Sequence, residues 1–270
     1  MTFDYSASVW GTGTATVSIG DPTSIRLRAV LDVLAPLEAG ERILEIGCGA
    51  GQFIRAIKKI RPELECHGSD ISKPALQIAE KNNDGVMYSE QSGNNLPYAD
   101  RLFSAAVIFD VLEHVDKPEE LLCEINRVLR PGGKLYAFVP CEGDALSLWH
   151  FLRFFGIGAY LTKKFAGHIQ YFSRRSLFQL VSNCGFRIIS KGYSEHFLGQ
   201  MLGIITFVMM YVTARKQKLD QMNNETFFTE HLSKGRWRGL RKLGNSLIFF
   251  ESRLFNRVPS SNVHLVGEKQ

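Results

Sequence analysis

The chain has 270 residues, 45% of them hydrophobic and 22% charged, with a formal net charge of +5; that is ordinary globular composition, long enough for one large domain or for a core with an added lobe. Its five cysteines (Cys48, Cys66, Cys123, Cys141, Cys184) are scattered and never form C-x-x-C, which speaks against a zinc site or a disulfide framework and for reduced thiols in a cytoplasmic setting. The charge is split: residues 1–140 hold 14 Lys/Arg against 19 Asp/Glu, whereas residues 141–270 hold 18 against 8, an asymmetry that points to an anionic partner surface for the second half.

Taken in chain order, the first residues (MTFDYSASVWGTGTATVS) show neither a basic start nor an apolar core, so no signal peptide is expected. A loop and then a helix over Ser24–Leu37, starting just after Asp21-Pro22, make an N-terminal segment of about 38 residues. Strands are predicted at Arg42–Ile46, Leu64–Ser69, Val86–Ser89, Ala105–Phe109, Gly133–Val139, Arg187–Tyr193 and Asn262–Gly267. Helices fall between them at Gln52–Ile60, Lys73–Lys81, Pro118–Val128 and Arg174–Asn183. Strand alternating with helix gives a mostly parallel sheet with both faces covered, an α/β doubly wound architecture. The core then runs over 39–194 and closes with 261–270. Residues 195–260 form an insertion between the last two strands, and loops of that length are normally functional.

The most informative stretch is LEIGCGAGQF, Leu44 to Phe53. An apolar strand enters a loop with Gly47, Gly49 and Gly51, and a helical pattern follows directly. Glycine there admits positive φ and lets a ligand approach the backbone, while the helix start offers unpaired N–H groups and partial positive charge. Asp70 ends the next apolar run, at the strand tip where such a sheet grips the two hydroxyls of an adenosine ribose. A dinucleotide loop would read G-x-G-x-x-G, but Gln52 stands in the third glycine's place. Glu45 also puts a carboxylate beside the loop, awkward next to a pyrophosphate and comfortable next to a cation. S-adenosylmethionine carries a sulfonium and an ammonium and no phosphate, and the charge of the loop favours it.

Downstream come NNLPYADRLFSAAVIFDVLEHV (Asn94 to Val115) and LLCEINRVLRPGGKLYAFVP (Leu121 to Pro140), with a weaker echo at HIQYFSRRSLFQLVSNCGF (His168 to Phe186). With the glycine loop and Asp70, this order resembles the class I S-adenosylmethionine-dependent methyltransferases, in particular the branch acting on small molecules and lipids. The resemblance covers roughly residues 40 to 140 closely. It implies a seven-stranded sheet whose last strand, NVHLVGEK, is an antiparallel edge, and an N-terminal segment packed over cofactor or substrate. It also implies that Gly47, Cys48, Gly49 and Gly51 run along the methionine part of the cofactor, with Glu45 acting on its amino group directly or through water. Asp70 would accept from the ribose hydroxyls, Ile71 would lie on the adenine face, and Phe109 and Asp110 would close the methionine side. Where the family often has an acid that holds the adenine amino group, this chain has Ser92 followed by Gly93; a serine hydroxyl accepts a hydrogen bond, but less strongly than a carboxylate.

Methyl transfer is an in-line displacement at carbon, helped mainly by holding the partners aligned and dry, and a base is needed only when the acceptor must lose a proton. His114, just past the fourth strand, is a candidate base; the alternative is a histidine that packs under the loop. His168 is a second candidate in a loop that reaches the acceptor in the family, and Tyr171 is placed on the same wall. The two histidines are so far apart in sequence that no metal site is expected from them.

Three apolar stretches mark the basic half: Leu146–Leu161, the uncharged Phe197–Thr213, and Lys234–Val258, which mixes large apolar residues with seven Lys/Arg and one Glu. A spanning helix needs about 20 apolar residues, so 17 with Gln200 and two glycines is short. An apolar hairpin dipping into the bilayer interface, its basic flanks on anionic headgroups, is the preferred reading; a lid helix buried over the active site is the competing one. The expected activity is methylation of an apolar or amphipathic small molecule (a lipid, a quinone-type intermediate or a lipid-linked precursor), in the cytoplasm and peripheral on the cytoplasmic face of the membrane. The alternatives are a soluble metabolite or sugar as acceptor, with the insertion as lid or oligomer contact, and a non-catalytic binding protein of the same fold. Nucleic acid is not expected, because the basic residues sit among apolar runs and not in a polar groove with stacking aromatics.

Overall fold

The computed structural model describes residues 22–217, 227 and 235–270; most of the expected N-terminal cap, residues 1–21, lies outside the described residues. The elements are α1 (Pro22–Leu34), β1 (Arg42–Ile46), α2 (Gln52–Ile60), β2 (Glu65–Asp70), α3 (Lys73–Glu80), β3 (Met87–Glu90), β4 (Phe103–Phe109), a 3-10 turn (Leu112–His114), α4 (Pro118–Val128), β5 (Leu129–Pro140), α5 (Leu148–Phe154), α6 (Ile157–Phe165), α7 (Arg174–Asn183), β6 (Phe186–Ser194), α8 (Phe197–Gln217), α9 (Gly235–Leu254) and β7 (Asn262–Lys269). The helix limits of α2, α4 and α7 fall where the sequence puts them. Gly51 in the left-handed region starts α2, Pro118 occupies the first turn of α4, and Ser173 with Ser176 closes a capping box on α7.

The seven strands are ordered β3-β2-β1-β4-β5-β7-β6. β1 pairs in parallel with both β2 and β4, so the topology reverses at β1, and a crevice opens at the carboxyl ends of these strands. β7 is antiparallel, as expected, but it is not an edge: it lies between β5 and β6 and pairs with both. Val263, His264 and Leu265 are all buried there, so both faces of this interior strand are covered as well.

Side chains of the central strands alternate between two cores. Leu44 and Ile46 of β1, Ala106 and Ile108 of β4 and Leu135, Ala137 and Val139 of β5 face α4 and α7. Ile43, Ala105, Val107, Phe109, Tyr136 and Phe138 face α1 and α2. Glu45 therefore shares the α2 face with Ile43, and this places a carboxylate at the mouth of the crevice. A third cluster joins Trp149, Leu161 and Phe165 of α5–α6 to Phe207, Met210 and Ala214 of α8. The insertion is thus packed on the segment after β5 and not detached from the core. All five cysteines are free, although the sulfurs of Cys123 and Cys184 lie 3.6 Å apart.

Candidate functional site

A cavity of about 870 Å³ occupies the crevice, and Glu45, Gly47, Cys48, Gly49, Asp70, Ile71, Gly93, Phe109, Asp110, His114 and His168 all line it. The loop after β1 is shaped by its own amides. Gly47 and Cys48 both donate to the Ser69 carbonyl, and Gly47 has φ 71° with a neighbour, Val111, that a Cβ would meet at 2.5 Å. Asp70 is 9% exposed and accepts from the Gly49 amide through Oδ2 and from the Ser72 amide through Oδ1, both at 2.7 Å. Burial raises its carboxyl against these amide bonds. Glu45 Oε2 accepts from the Ile54 amide at 2.7 Å, so it caps the first turn of α2 as well as lining the cavity. Burial, with the Asp70 charge adding to it, pushes Glu45 well above the usual carboxylate range. Burial likewise pushes the Cys48 thiol up.

Two expected positions lie off the cavity wall. Gly51 does not line the cavity: it sits behind the loop at φ 80°, where a Cβ would lie 2.5 Å from the Tyr88 hydroxyl oxygen, so its requirement is packing and backbone angle. Ser92 is exposed and pairs only with Asn95 in an isolated bridge; Gln91, Gly93 and Asn94 form the wall there instead. Tyr171 also faces away, its hydroxyl donating to the Ala159 carbonyl at 3.2 Å under the Arg153 guanidinium.

Sequence reasoning missed several wall residues. Arg26 of α1 lies over the Phe138 ring, is hydrogen-bonded to Asp110, and sits 3.7 Å from Glu195. Asp110 and Glu195, which both line the cavity, have positive φ (51° and 53°) without being glycine, a locally strained backbone. The opposite wall comes from the insertion and the segment before it: Trp149, Ala166, Gly199, Gln200, Gly203 and Phe207. Gln200 Oε1 accepts from the Leu148 amide at 2.7 Å, tying α8 to α5. Glu251 of α9 accepts from the amides of Phe197, Leu198 and Gly199 and so caps the start of α8.

The two histidines are neighbours in space. The Glu113 carbonyl accepts from the amides of Ile169 and Gln170, both at 2.9 Å, which pins the loop carrying His168 against the 3-10 turn carrying His114. Their rings are 5.0 Å apart, and ligand atoms of Glu113, His114 and His168 all lie within 4.8 Å of one another. Sequence distance is the ground for expecting no metal site from them, yet the loop after α6 returns to the 3-10 turn that follows β4 and brings the two rings together. Burial and the His168 charge push His114 down to about 3. Burial opposes the charge on His168, but Glu142, Glu113 and Asp110 outweigh it and hold the imidazole up at about 9. Glu113 is fully buried and raised by that burial.

Residues 24–191 match the family model described as "Methyltransferase domain". Over 107 residues the chain is 35% identical to a demethylmenaquinone methyltransferase of Tropheryma whipplei, covering 38% of this chain and 42% of the relative. Over 137 residues it is 33% identical to a ubiquinone biosynthesis O-methyltransferase of Alkalilimnicola ehrlichii, covering 48% and 54%. The chain spans about half the length of the curated relatives it matches. The crystal structure of the [4+2]-cyclase SpnF superposes with a TM-score of 0.57 over 99% of this chain and 87% of that one at 19% identity. That likeness shows the fold alone, and a cyclase on this fold is a reminder that chemistry is read from the site.

Proposed function

Because the chain belongs to the class I S-adenosylmethionine-dependent methyltransferases, we propose that it methylates an apolar or amphipathic small molecule, of quinone or lipid type, bound beneath α5 and α8 at an anionic membrane surface. The observation that carries this reading is a cavity with two chemically different ends. One end holds Glu45, the glycine loop and Asp70; the other is walled by Trp149, Ala166, Gly203 and Phe207. The acid-rich end fits a cationic cofactor: Glu45, Asp70 and Asp110 face it, and Arg26 is already paired with Asp110. A pyrophosphate would meet those carboxylates unfavourably. When bound, S-adenosylmethionine supplies an electrophilic methyl group on a sulfonium leaving group.

The chain's own residues bind, orient and exclude water. Asp70 accepts from the ribose hydroxyls, and its two amide bonds hold it in place to do so. Gly47, Cys48 and Gly49 run beside the methionine portion, and Glu45 faces its ammonium. Ile71 and Gly93 flank the adenine, with Gly93 open enough for close approach, since a Cβ there would meet nothing within 4 Å. Phe109, stacked on Phe53 at 4.2 Å, and Asp110 close the methionine side. His114 and His168 line the cavity where the acceptor is bound; burial keeps the His114 ring neutral and the Gly167 backbone fixes it by a hydrogen bond, so it meets the acceptor as a hydrogen-bonding group.

The acceptor reading draws on the relatives that act in quinone biosynthesis and on the outer surface of the lid. α8 is long and apolar enough to cross a membrane, yet only 22% of its apolar window is buried. Phe207, Met210 and Ala214 pack inward, while Phe197, Met201, Ile205, Val208 and Val212 form an exposed stripe at helical spacing. α9 exposes Leu240, Leu243, Leu247, Phe250 and Leu254 in a second stripe. Arg215, Lys216, Arg241, Lys242, Arg253 and Arg257 flank them. Lid and membrane contact are thus opposite faces of one helix, and the inward face committed to protein supports an interfacial helix over a span.

The test is a radiolabelled-methyl assay on fractionated extract with calorimetry of the demethylated cofactor and sedimentation with anionic vesicles. Label in the organic phase and co-sedimentation are expected. Label confined to the aqueous phase, with no sedimentation, would leave the soluble-acceptor alternative; no heat with the demethylated cofactor would overturn the cofactor assignment.

A further inference from the structure

We infer that Glu113, His114 and His168 form a site for a divalent transition-metal ion, open toward the acceptor end of the cavity. Three observations lead there. First, one ligand atom from each side chain lies within 4.8 Å of the others. Bonds of about 2.1 Å would draw such atoms to roughly 3–3.5 Å apart, a closure of about 1 Å that side-chain rotation supplies. Second, Glu113 has no exposed surface, and neither of its carboxylate oxygens has a hydrogen-bond partner. Among the described residues no Lys or Arg pairs with Glu113 or with Glu142, and the positive charge beside them is that of His168; a metal ion bound there would take the place of that proton and satisfy carboxylate oxygens that accept no hydrogen bond. Arg26 is already engaged by Asp110 and Glu195.

Third, both imidazoles are held as ligands are held. One ring nitrogen of His114 donates to the Gly167 carbonyl, and His168 Nδ1 sits 3.0 Å from a Glu142 oxygen. A backbone carbonyl or a carboxylate behind a ligating histidine fixes its ring and directs the remaining nitrogen at the metal. Glu142 is thereby a positioning residue. Two imidazoles and one carboxylate suit zinc, cobalt, iron or nickel more than magnesium. Because His114 and His168 line the cavity and three protein ligands leave coordination positions open, the ion would hold an oxygen of the acceptor. That last step rests on the methyl-transfer reading; the metal site does not. In this arrangement His114 is a ligand in place of a base.

The test uses the full chain, stripped with chelator and dialysed, then titrated with CoCl2, ZnCl2 or MgCl2. One equivalent of Co2+ should bind with visible ligand-field bands, Zn2+ should displace it, and Mg2+ should not compete. Glu113→Gln should weaken Co2+ at least ~100-fold, while its affinity for S-adenosylhomocysteine stays within about threefold of the native chain. Equal Co2+ binding by native and Glu113→Gln chains would overturn the site, as would tight Mg2+ binding without Co2+ bands. Should Glu113→Gln fail to fold, the native chain alone decides: a spectrum and thermal midpoint unmoved by an equivalent of Co2+ or Zn2+ overturn the site. Failure to bind S-adenosylhomocysteine would instead strike the cofactor reading and leave the metal result standing.

Discussion

Asp70 is where the cofactor assignment is most exposed to refutation. In Asp70→Ala, two different losses occur together. The amides of Gly49 and Ser72, each bound to a carboxylate oxygen at 2.7 Å, lose their acceptor in a buried setting, and an unmade hydrogen bond there costs about 1–3 kcal/mol. The ribose also loses its anionic acceptor; a hydrogen bond to a charged group is worth about 1.5–3 kcal/mol, and each 1.4 kcal/mol is tenfold in affinity. Affinity for S-adenosylhomocysteine should therefore fall at least tenfold, and by roughly 100-fold if both hydroxyls are held. Asp70→Asn separates the two effects: the amide keeps one acceptor oxygen for the loop but offers the wrong group to the ribose. It should recover most of the thermal stability and little of the affinity. Calorimetry well below the melting transition reads the second, and thermal denaturation the first. An unchanged dissociation constant in both variants would refute the reasoning, because it would mean that Asp70 shapes the loop and touches no ligand.

Three other outcomes follow from the geometry. His264 is buried between the Tyr136 hydroxyl at 2.6 Å and the Ser194 hydroxyl at 2.8 Å, and burial, with Arg26 nearby, pushes its imidazole down to about 3. The unfolded chain takes up a proton below about pH 6.5 that the folded chain refuses, so this residue's contribution is intact above 6.5 and lost as pH falls toward 3. Between pH 6.5 and 5 the native chain should lose roughly 2 kcal/mol that His264→Gln does not lose; parallel pH–stability curves in chemical denaturation would contradict this. Gln200→Ala removes the bond to the Leu148 amide and loosens α8 over the cavity; the acceptor KM should rise about tenfold or more with cofactor affinity unmoved, and a fall in cofactor affinity alone would place Gln200 at the wrong end. Leu247→Glu with Phe250→Glu puts charge into the exposed stripe of α9 and should abolish sedimentation with anionic vesicles at unchanged far-UV circular dichroism and cofactor affinity; persistence of vesicle binding would show that other surfaces carry it.

What the sequence could show about this site follows from how far apart its parts are along the chain. Glu45, the glycine loop and Asp70 belong to one strand–loop–helix–strand unit, whose apolar alternation and glycine spacing fix their geometry locally; that end of the cavity was legible. The expected edge position of β7 was not. NVHLVGEK has only three apolar residues among eight, a pattern that suits an edge strand, and its place inside the sheet comes from pairing with both β5 and β6, which no residue type in the segment announces. Arg26, Glu142 and Glu195 carry no motif, since a lone charged residue in a helix or loop reads as solvated until the fold turns it inward. His114 and His168 were each singled out, yet their meeting depends on the Glu113 carbonyl catching the amides of Ile169 and Gln170, a backbone contact that leaves no trace in residue type. The same contact makes the acceptor end of the cavity a product of long-range closure. The insertion follows suit: a helix with an apolar residue at nearly every position hides which face is packed, and only the fold divides α8 into an inner row that roofs the cavity and an outer row that does not. Cofactor recognition in this chain is therefore local and should survive removal of the α8–α9 hairpin, whereas acceptor turnover is distributed and should not. A variant lacking residues 197–256 that keeps cofactor affinity and loses turnover would bear out that division, and one that loses both would show that the two ends of the cavity fold as a unit.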